Sequence, residues 1–156
     1  MVCRRFVLFA FALGMISPES ALPQDPLAPR LDTIVIETSQ TSRILAVEIA
    51  DTPALRERGL MFRHRLGEDR GMLFLYESVQ PVAMWMKNTY IPLDMVFVRA
   101  DGTIAEVVQG TVPHSLDTIR SREPVAAVLE IAAGGARRLG LAPGAVLRHD
   151  FFGNAD

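Results

Sequence analysis

Alternation of apolar and polar residues predicts short β-strands along most of the chain. Residues 44–50 place Leu45, Val47 and Ile49 on one face, and a period of two is typical of a half-buried strand. Residues 33–38 form a second run rich in β-branched side chains. The polar residues between the two runs predict a hairpin, with Leu45, Val47 and Ile49 pointing inward.

Apolar runs of similar length continue towards the C-terminus. They predict strands over residues 71–76, 82–87, 93–99, 103–108, 125–132 and 145–152. Asp101-Gly102 between two of these runs is a strong signal for a tight hairpin turn. Short strands at close spacing are typical of a barrel or sandwich. We therefore predict a mostly β fold, a single small barrel-like or jelly-roll-like β domain with short helices.

Two short helices are expected between the strands. Thr52 can cap the first, Pro53 suits its first position, and Gly59 can end it. Residues 134–140 predict one or two further helical turns. With 156 residues the chain has the length of one domain, and it can bury a core without disulfides.

The first 21 residues predict a signal peptide. Arg4 and Arg5 precede an apolar run over residues 6–16 that is too short to span a bilayer. Ala21 suits the position before a cleavage site, whereas Glu19 is larger than that site prefers. An uncleaved and loosely anchored N-terminus is therefore the alternative.

Residues 22–31 follow the predicted signal peptide and contain several prolines, which predict a flexible linker. This leaves residues 32–153 as a single β-rich domain. The single cysteine, Cys3, lies in the predicted signal peptide, so the mature chain is expected to have no disulfide. A periplasmic protein of this size can fold without one. We expect a periplasmic or secreted protein, with no transmembrane span in the mature chain.

Composition and spacing exclude several classes of function. The formal net charge is -2 and the sequence has no run of basic residues, so we expect no nucleic-acid partner. His64, His114 and His149 do not follow the spacing of a catalytic zinc site. The sequence also lacks a glycine-rich phosphate loop. We predict no metal and no cofactor.

Residues 84–95 concentrate rare side chains, including the chain's only Trp, Trp85, and its only Lys, Lys87. In the strand that follows, Asp94 shares a face with apolar side chains, and a buried carboxylate needs a partner. A hairpin joining that strand to residues 82–87 would bring Lys87 next to Asp94. We predict a polar pocket around Trp85, Lys87 and Asp94, with a purely structural ion pair as the alternative.

Further polar residues extend this predicted pocket. Arg58 and Arg63 lie near the end of the first helix, where two guanidinium groups can hold a carboxylate or phosphate. Ion pairing with nearby surface acids is the alternative. Glu130 is a second acid in an apolar strand and a candidate partner for one of these arginines. The predicted binding residues are Arg58, Arg63, Trp85, Lys87, Asn88, Asp94 and Glu130.

Two other classes of function would use the same stretch. In a hydrolase-type enzyme, Asp94 would act as general base, or Lys87 as nucleophile or electrostatic stabiliser. In a copper(I) or silver(I) carrier, Met84 and Met86 would present two thioethers on one strand face. Methionines that fill gaps in a core are the alternative to metal binding, and the one that we favour. We assign no catalytic residue.

Several motifs resemble one known family. They are Arg58-Gly-Leu-Met-Phe-Arg63, Gly71-Met-Leu-Phe74, Met84-Trp-Met-Lys-Asn-Thr89, Ile91-Pro-Leu-Asp-Met95, Asp101-Gly102, Ser115, Ser121 and Val128-Leu-Glu130. Together they are similar to domain-of-unknown-function family 192 over roughly residues 32–152. The resemblance implies a compact, mostly β, barrel-like fold and frequent export or membrane tethering, and it carries no established activity. Family members often have aromatic residues where this chain has Ile119 and Ala127, so a pocket lined there would differ in shape.

We therefore predict an uncharacterised exported protein that acts as a non-catalytic periplasmic binding or accessory module. Its ligand is expected to be a small molecule or a protein. The polar pocket around Trp85, Lys87 and Asp94 is expected to hold it.

Overall fold

A computed structural model describes residues 28–155, which form nine β-strands, two α-helices and one 3₁₀ helix. The strands are β1 (Arg30–Glu37), β2 (Ser42–Ala50), β3 (Arg70–Gln80), β4 (Ala83–Met84), β5 (Leu93–Val98), β6 (Ile104–Val108), β7 (Ile119–Arg120), β8 (Val125–Ala132) and β9 (Val146–Arg148). The helices are α1 (Pro53–Arg58) and α2 (Gly135–Leu139), and the 3₁₀ helix covers Asp150–Phe152. The predicted signal peptide and most of the predicted linker lie outside the described residues.

Seven of the strands form one sheet in the order β6-β5-β8-β3-β2-β1-β9. Its two edges meet, because Thr103 just before β6 forms an antiparallel bridge with Val146 of β9. Leu147 N–H also donates to the Gly102 carbonyl, at 2.8 Å, on the same seam. The sheet is therefore a nearly closed barrel, and the prediction of a mostly β, barrel-like domain with short helices is confirmed.

The strands β2 and β3 are parallel, and α1 lies in the crossover between them. A crossover is needed because parallel neighbours cannot be joined by a tight turn. The helix begins where the sequence predicts: Thr52 Oγ1 accepts from Leu55 N–H at 3.2 Å, and Pro53 occupies the first turn. Gly59 ends it, and its N–H donates to the Leu55 carbonyl at 2.8 Å.

The barrel interior holds the larger apolar core. Leu45, Val47 and Ile49 of β2 are buried there, whereas Ile44 is 73% exposed. The predicted inward face of this strand is therefore confirmed.

A second apolar core covers the outer face of β3, β5 and β8. The strands contribute Met72, Phe74, Met95, Phe97 and Val128. Leu93 of β5 also lies in this core, and the covering segments contribute Leu55, Leu60, Val82 and Met86. These three strands are therefore buried on both faces, with the barrel interior on one side and α1 together with residues 82–93 on the other.

Most of the central stretch of the sequence is not a strand. The strand predicted over residues 82–87 is reduced to Ala83–Met84, which pairs with β7 and not with β5. Beyond it the backbone bonds to loops: Met86 N–H donates to the Ser115 carbonyl, and Thr89 N–H to the Met86 carbonyl, both at 3.1 Å. The hairpin predicted between this segment and β5 is therefore wrong.

The two ends of the domain also differ in detail from the sequence prediction. β1 begins at Arg30, inside the predicted linker. β9 ends at Arg148, and the His149 side chain then caps the 3₁₀ helix by accepting from Phe151 N–H at 3.1 Å. Within residues 28–155, no helix has the length and apolar character needed to cross a membrane.

The seam of the barrel generates a first prediction. Gly102 has φ +85°, and a Cβ added there would lie 2.3 Å from the Leu147 carbonyl oxygen. We expect Gly102→Ala to lower the free energy of unfolding by at least about 2 kcal/mol. The cost of the left-handed backbone is added to the cost of a clash with the Leu147 backbone, which cannot move aside. Urea denaturation followed by circular dichroism measures this change.

Gly144→Ala is the matched control. Gly144 has φ +93°, and a Cβ there would meet no atom within 4 Å. Gly144→Ala should therefore lower the free energy of unfolding by only about 1 kcal/mol, the cost of a left-handed backbone at a residue other than glycine. Equal losses for the two variants would mean that close approach at the seam does not constrain the barrel.

Candidate functional site

A cleft opens on the outer face of the sheet, between α1 and residues 83–89. It encloses a cavity of about 360 Å³, near the lower end of the range for small-molecule sites. Its lining consists of Arg56, Glu57, Arg58, Gly59, Leu60, Met61, Phe74, Tyr76, Ala83, Met84, Trp85, Lys87, Thr89 and Glu130. Four of the predicted site residues meet in this cleft: Arg58, Trp85, Lys87 and Glu130.

Glu130 lies at the bottom of the cleft. In β8 it stands between Met72 of β3 and Met95 of β5, and it is only 4% exposed. Its carboxyl has no hydrogen bond or ion pair with any group in residues 28–155. Burial raises the pKa of Glu130 from its ordinary value of 4.5 to about 8, since desolvation disfavours the charged form. The protonated acid therefore predominates at neutral pH.

Tyr76 forms one wall of the cleft. Its hydroxyl donates to Met84 Sδ at 3.6 Å, and burial raises the pKa of Tyr76 to about 12. The Arg56 guanidinium lies 5.3 Å from the centre of its ring. Arg56 is fixed there because its Nη1 donates to the Asp51 and Leu75 carbonyls, each at 2.6 Å.

Trp85, Lys87 and Arg58 form the mouth. Trp85 is 48% exposed, and Lys87 Nζ lies 5.4 Å from the centre of its ring, within the range of a cation–π contact. Neither Lys87 nor Arg58 has an ion pair or a hydrogen bond to its side chain within the described chain. Both cations are therefore available to a ligand.

The same mouth continues outward into a shallower groove of about 520 Å³. Asn88 lies in this groove, together with Phe62 and Met61. Asn88 has a left-handed backbone, with φ +55°, and its carbonyl accepts from Phe62 N–H at 2.8 Å. The predicted binding residue Asn88 thus borders the approach to the cleft and does not line the cavity above Glu130.

The predicted contact between Asp94 and Lys87 is wrong. Asp94 is fully buried on the barrel-interior face of β5, and its two carboxylate oxygens accept from Gly110 N–H and Ala136 N–H, each at 2.9 Å. The cleft lies on the opposite face of the sheet. The sequence correctly indicates that this buried carboxylate needs partners, but backbone amides supply them.

Arg63 also lies outside the cleft. It forms a bidentate ion pair with Glu48 of β2, with both N–O distances at 2.5 Å. This side-chain hydrogen bonding raises the pKa of Arg63. The predicted pair of Arg58 and Arg63 is therefore divided, because only Arg58 faces the cleft.

Met84 and Met86 have different surroundings. Met86 is buried, and its Sδ accepts from the Thr111 hydroxyl at 3.2 Å. Met84 lines the cleft beside Tyr76. Met86 therefore belongs to the outer core, as expected for a methionine that fills a gap.

The sequence prediction missed several residues of the cleft, among them Phe74, Tyr76 and Arg56. Met72, Phe74 and Tyr76 alternate along β3 and so share one face. That alternation was a usable signal for Phe74 and Tyr76. No sequence pattern indicated the position of Arg56, because it depends on the Asp51 and Leu75 carbonyls, which come together only in the folded chain.

Comparison with known proteins places the chain among related sequences and structures. The family model DUF192, described as "Uncharacterized ACR", matches residues 34–149. Among curated proteins, none matches the chain.

Two solved structures resemble the fold closely. One is a protein from Sinorhizobium meliloti 1021, provisionally described as a transcription regulator, with 46% identity and a TM-score of 0.78 over 80% of this chain and 97% of that chain. The other is a protein of unknown function from Novosphingobium aromaticivorans DSM 12444, with 34% identity and a TM-score of 0.76 over 84% of this chain and 95% of that chain.

The role of Asp94 generates a second prediction. Asp94→Ala leaves two N–H groups without their acceptor, so we expect the free energy of unfolding to fall by about 2–4 kcal/mol. Lys87→Ala should cost less than about 1 kcal/mol, because it removes only an exposed cation–π contact. Urea denaturation at pH 7 compares the two, with the exposed acid Glu77→Ala as control. If Asp94→Ala and Lys87→Ala lowered the free energy of unfolding equally and by a large amount, the result would favour an ion pair between these two side chains.

The state of Glu130 generates a third prediction. Because its folded pKa of about 8 exceeds the ordinary value of 4.5, the folded chain binds more protons than the unfolded chain between these values. Its contribution to stability is therefore present below pH 4.5 and is lost as pH rises through 8. We expect wild type to lose on the order of 3–5 kcal/mol relative to Glu130→Gln across this window. Urea denaturation from pH 4.5 to 8.5 tests this; parallel pH profiles would contradict it.

Proposed function

Because the chain belongs to the DUF192 family, whose description assigns no activity, we propose its function from the cleft itself. The protein is a non-catalytic binding module that holds a small molecule above Glu130, beneath Trp85, Lys87 and Arg58. The observation that carries this proposal is the Glu130 carboxyl, which is 4% exposed and reaches the cavity without a protein partner in residues 28–155.

The energetics of Glu130 support binding over a purely structural role. A buried polar group without a hydrogen bond costs about 1–3 kcal/mol. Asp94 avoids that cost through two backbone donors, whereas no group of residues 28–155 bonds to Glu130, whose carboxyl opens onto the cleft. A ligand group that bonds to Glu130 would form this hydrogen bond in a site shielded from water, where such bonds are stronger than in water, so the residue favours a complex.

The polar groups of the cleft do not favour catalysis. Nucleophilic catalysis uses a nucleophile and a base within hydrogen-bond reach of each other. Here the Tyr76 hydroxyl bonds to the Met84 thioether, and the Glu130 carboxyl has no partner among the described side chains. The hydrolase alternative used Asp94 as general base or Lys87 as nucleophile or stabiliser, but Asp94 is fully buried and bonded to two backbone amides, away from the cleft that Lys87 lines. A binding module therefore fits the site better than an enzyme.

We place this binding in the periplasm or outside the cell. The support is the N-terminal sequence, where two arginines precede a short apolar run and a segment of small residues. The fold is compatible with that location because residues 28–155 contain no cysteine whose oxidation would have to be controlled.

Neither of the other suggested functions has an observation in its favour. The relative from Sinorhizobium meliloti is provisionally described as a transcription regulator, but DNA binding needs a basic face, and this chain has a net charge of -2. Copper(I) binding would use Met84 and Met86 together, yet Met86 packs in the outer core beside Thr111 while Met84 faces the cleft.

Native mass spectrometry of the protein purified from the cells that make it tests the proposal. We expect a small organic molecule to remain bound to wild type. Ala83→Phe, which adds a ring to the cleft lining, should remove it. The matched control is Ala133→Phe, at an exposed position outside the cleft lining, and it should keep the ligand.

Thermal melting with a metabolite panel gives an independent readout. Ligands of the cleft should raise the melting temperature of wild type and of Ala133→Phe, but not that of Ala83→Phe. If no adduct is found and no compound shifts the melting of wild type, the cleft is only a defect in packing and the binding function is wrong.

A further inference from the structure

We propose that the cleft selects a small organic anion whose far end carries a neutral hydrogen-bonding group, such as a hydroxyl or an amide. The inference rests on the proposed binding function and names the ligand class of that same site. It follows from the different charge at the mouth and at the bottom of the cleft.

The mouth favours an anion. Arg58 and Lys87 line both the cavity and the outer groove. Neither has a carboxylate within 4.0 Å anywhere in residues 28–155. Apart from Glu130 at the bottom, Glu57 is the only acid among the residues that line the cavity, whereas Arg56 adds a further positive charge. A carboxylate entering here would accept hydrogen bonds from a guanidinium and an ammonium group, and charge-assisted bonds are the strong ones.

The bottom favours a neutral polar group. Glu130 is flanked by the thioether side chains Met72 and Met95 and is protonated at neutral pH. A cationic ligand group would have to ionise it and form a buried ion pair, whose desolvation costs several kcal/mol per ion. An anionic group would meet a carboxyl with no cation to balance it. A hydroxyl or amide can both donate to and accept from the protonated acid without bringing a charge.

The walls between the two ends are apolar and aromatic. Phe74, Tyr76 and Leu60 line the cavity, and Trp85 stands at its mouth. The volume of about 360 Å³ suits a ligand with a body of single-ring size. Such a body would bury its apolar faces against these side chains, while its two polar ends meet Glu130 and the cations.

Three probes that differ in one group each separate the contributions. 3-(4-Hydroxyphenyl)propionate carries both the anion and the hydroxyl, 3-phenylpropionate lacks the hydroxyl, and tyramine replaces the anion by a cation. Calorimetric titration of the full chain at pH 6.5 should show the hydroxylated anion binding about tenfold more tightly than 3-phenylpropionate, the worth of one hydrogen bond. Tyramine should not bind detectably.

Variants assign the two ends of the ligand. Glu130→Gln keeps a neutral hydrogen-bonding group and should retain the preference for the hydroxylated probe. Glu130→Leu should abolish that preference while still binding both anions. Lys87→Ala should weaken both anions about tenfold or more. Arg65→Ala removes an equally exposed cation outside the cleft and should change neither affinity.

The outcomes distinguish the ligand class from the function. If tyramine binds more tightly than the hydroxylated anion, or if Glu130→Leu keeps the preference, the ligand class is wrong although the binding function stands. If the probes fail but a natural adduct is present, its fragmentation decides: an anion with a hydroxyl or amide supports the class, and any other ligand overturns it. If neither probe nor adduct binds, both proposals fail.

Discussion

The fold depends on burying β8 on both of its faces. Leu129 and Ile131 point into the barrel, whereas Val128 points outward and needs a separate cover. That cover is α1 and residues 82–93, which lie over the outer face of β3, β5 and β8. It closes over Val128 and Phe97 but leaves a cavity above Glu130. The cleft thus forms because the cover over the outer face of β3, β5 and β8 is incomplete.

The cover is held in place by backbone conformations that most residues avoid. Phe62, Asn88 and His114 have φ values of +65°, +55° and +62°. Phe62 N–H donates to the Asn88 carbonyl at 2.8 Å, and His114 N–H donates to the carbonyl of the neighbouring Thr89 at 3.1 Å. The Tyr90 ring lies about 5 Å from the His114 ring. Left-handed residues outside glycine cost about 1 kcal/mol or more each and tend to concentrate at functional sites. Phe62 and Asn88 line the outer groove that leads to the cleft, and this position agrees with the proposed binding site.

Local patterns in the sequence predicted which face of a strand is buried and where the turns lie. They were less reliable in predicting which strands pair. The bounds of β8, the cap at Thr52 and the turn at Gly102 follow from residues close together in the chain. The length of β4 depends instead on whether a partner strand runs beside it, and β7 offers only two residues. Apolar alternation continues beyond Met84, although the backbone there bonds to loops. For this reason the sequence could indicate Trp85, Lys87 and Glu130, which line one cleft, but it could not predict how the segments that carry them pair.

The two buried acids, Asp94 and Glu130, have opposite surroundings. They lie in neighbouring strands, with Asp94 opposite Ile131 and Glu130 opposite Met95. Asp94 points into the barrel and joins the loop after β6 to the start of α2 through two amide donors, so no ligand is needed to satisfy it. Glu130 points to the other face, where it lies between Met72 and Met95 and accepts no hydrogen bond from residues 28–155. Leucine at position 130 would offer this face only an apolar side chain, whereas Glu130 brings a hydrogen-bonding group to the cleft that the proposed ligand can use.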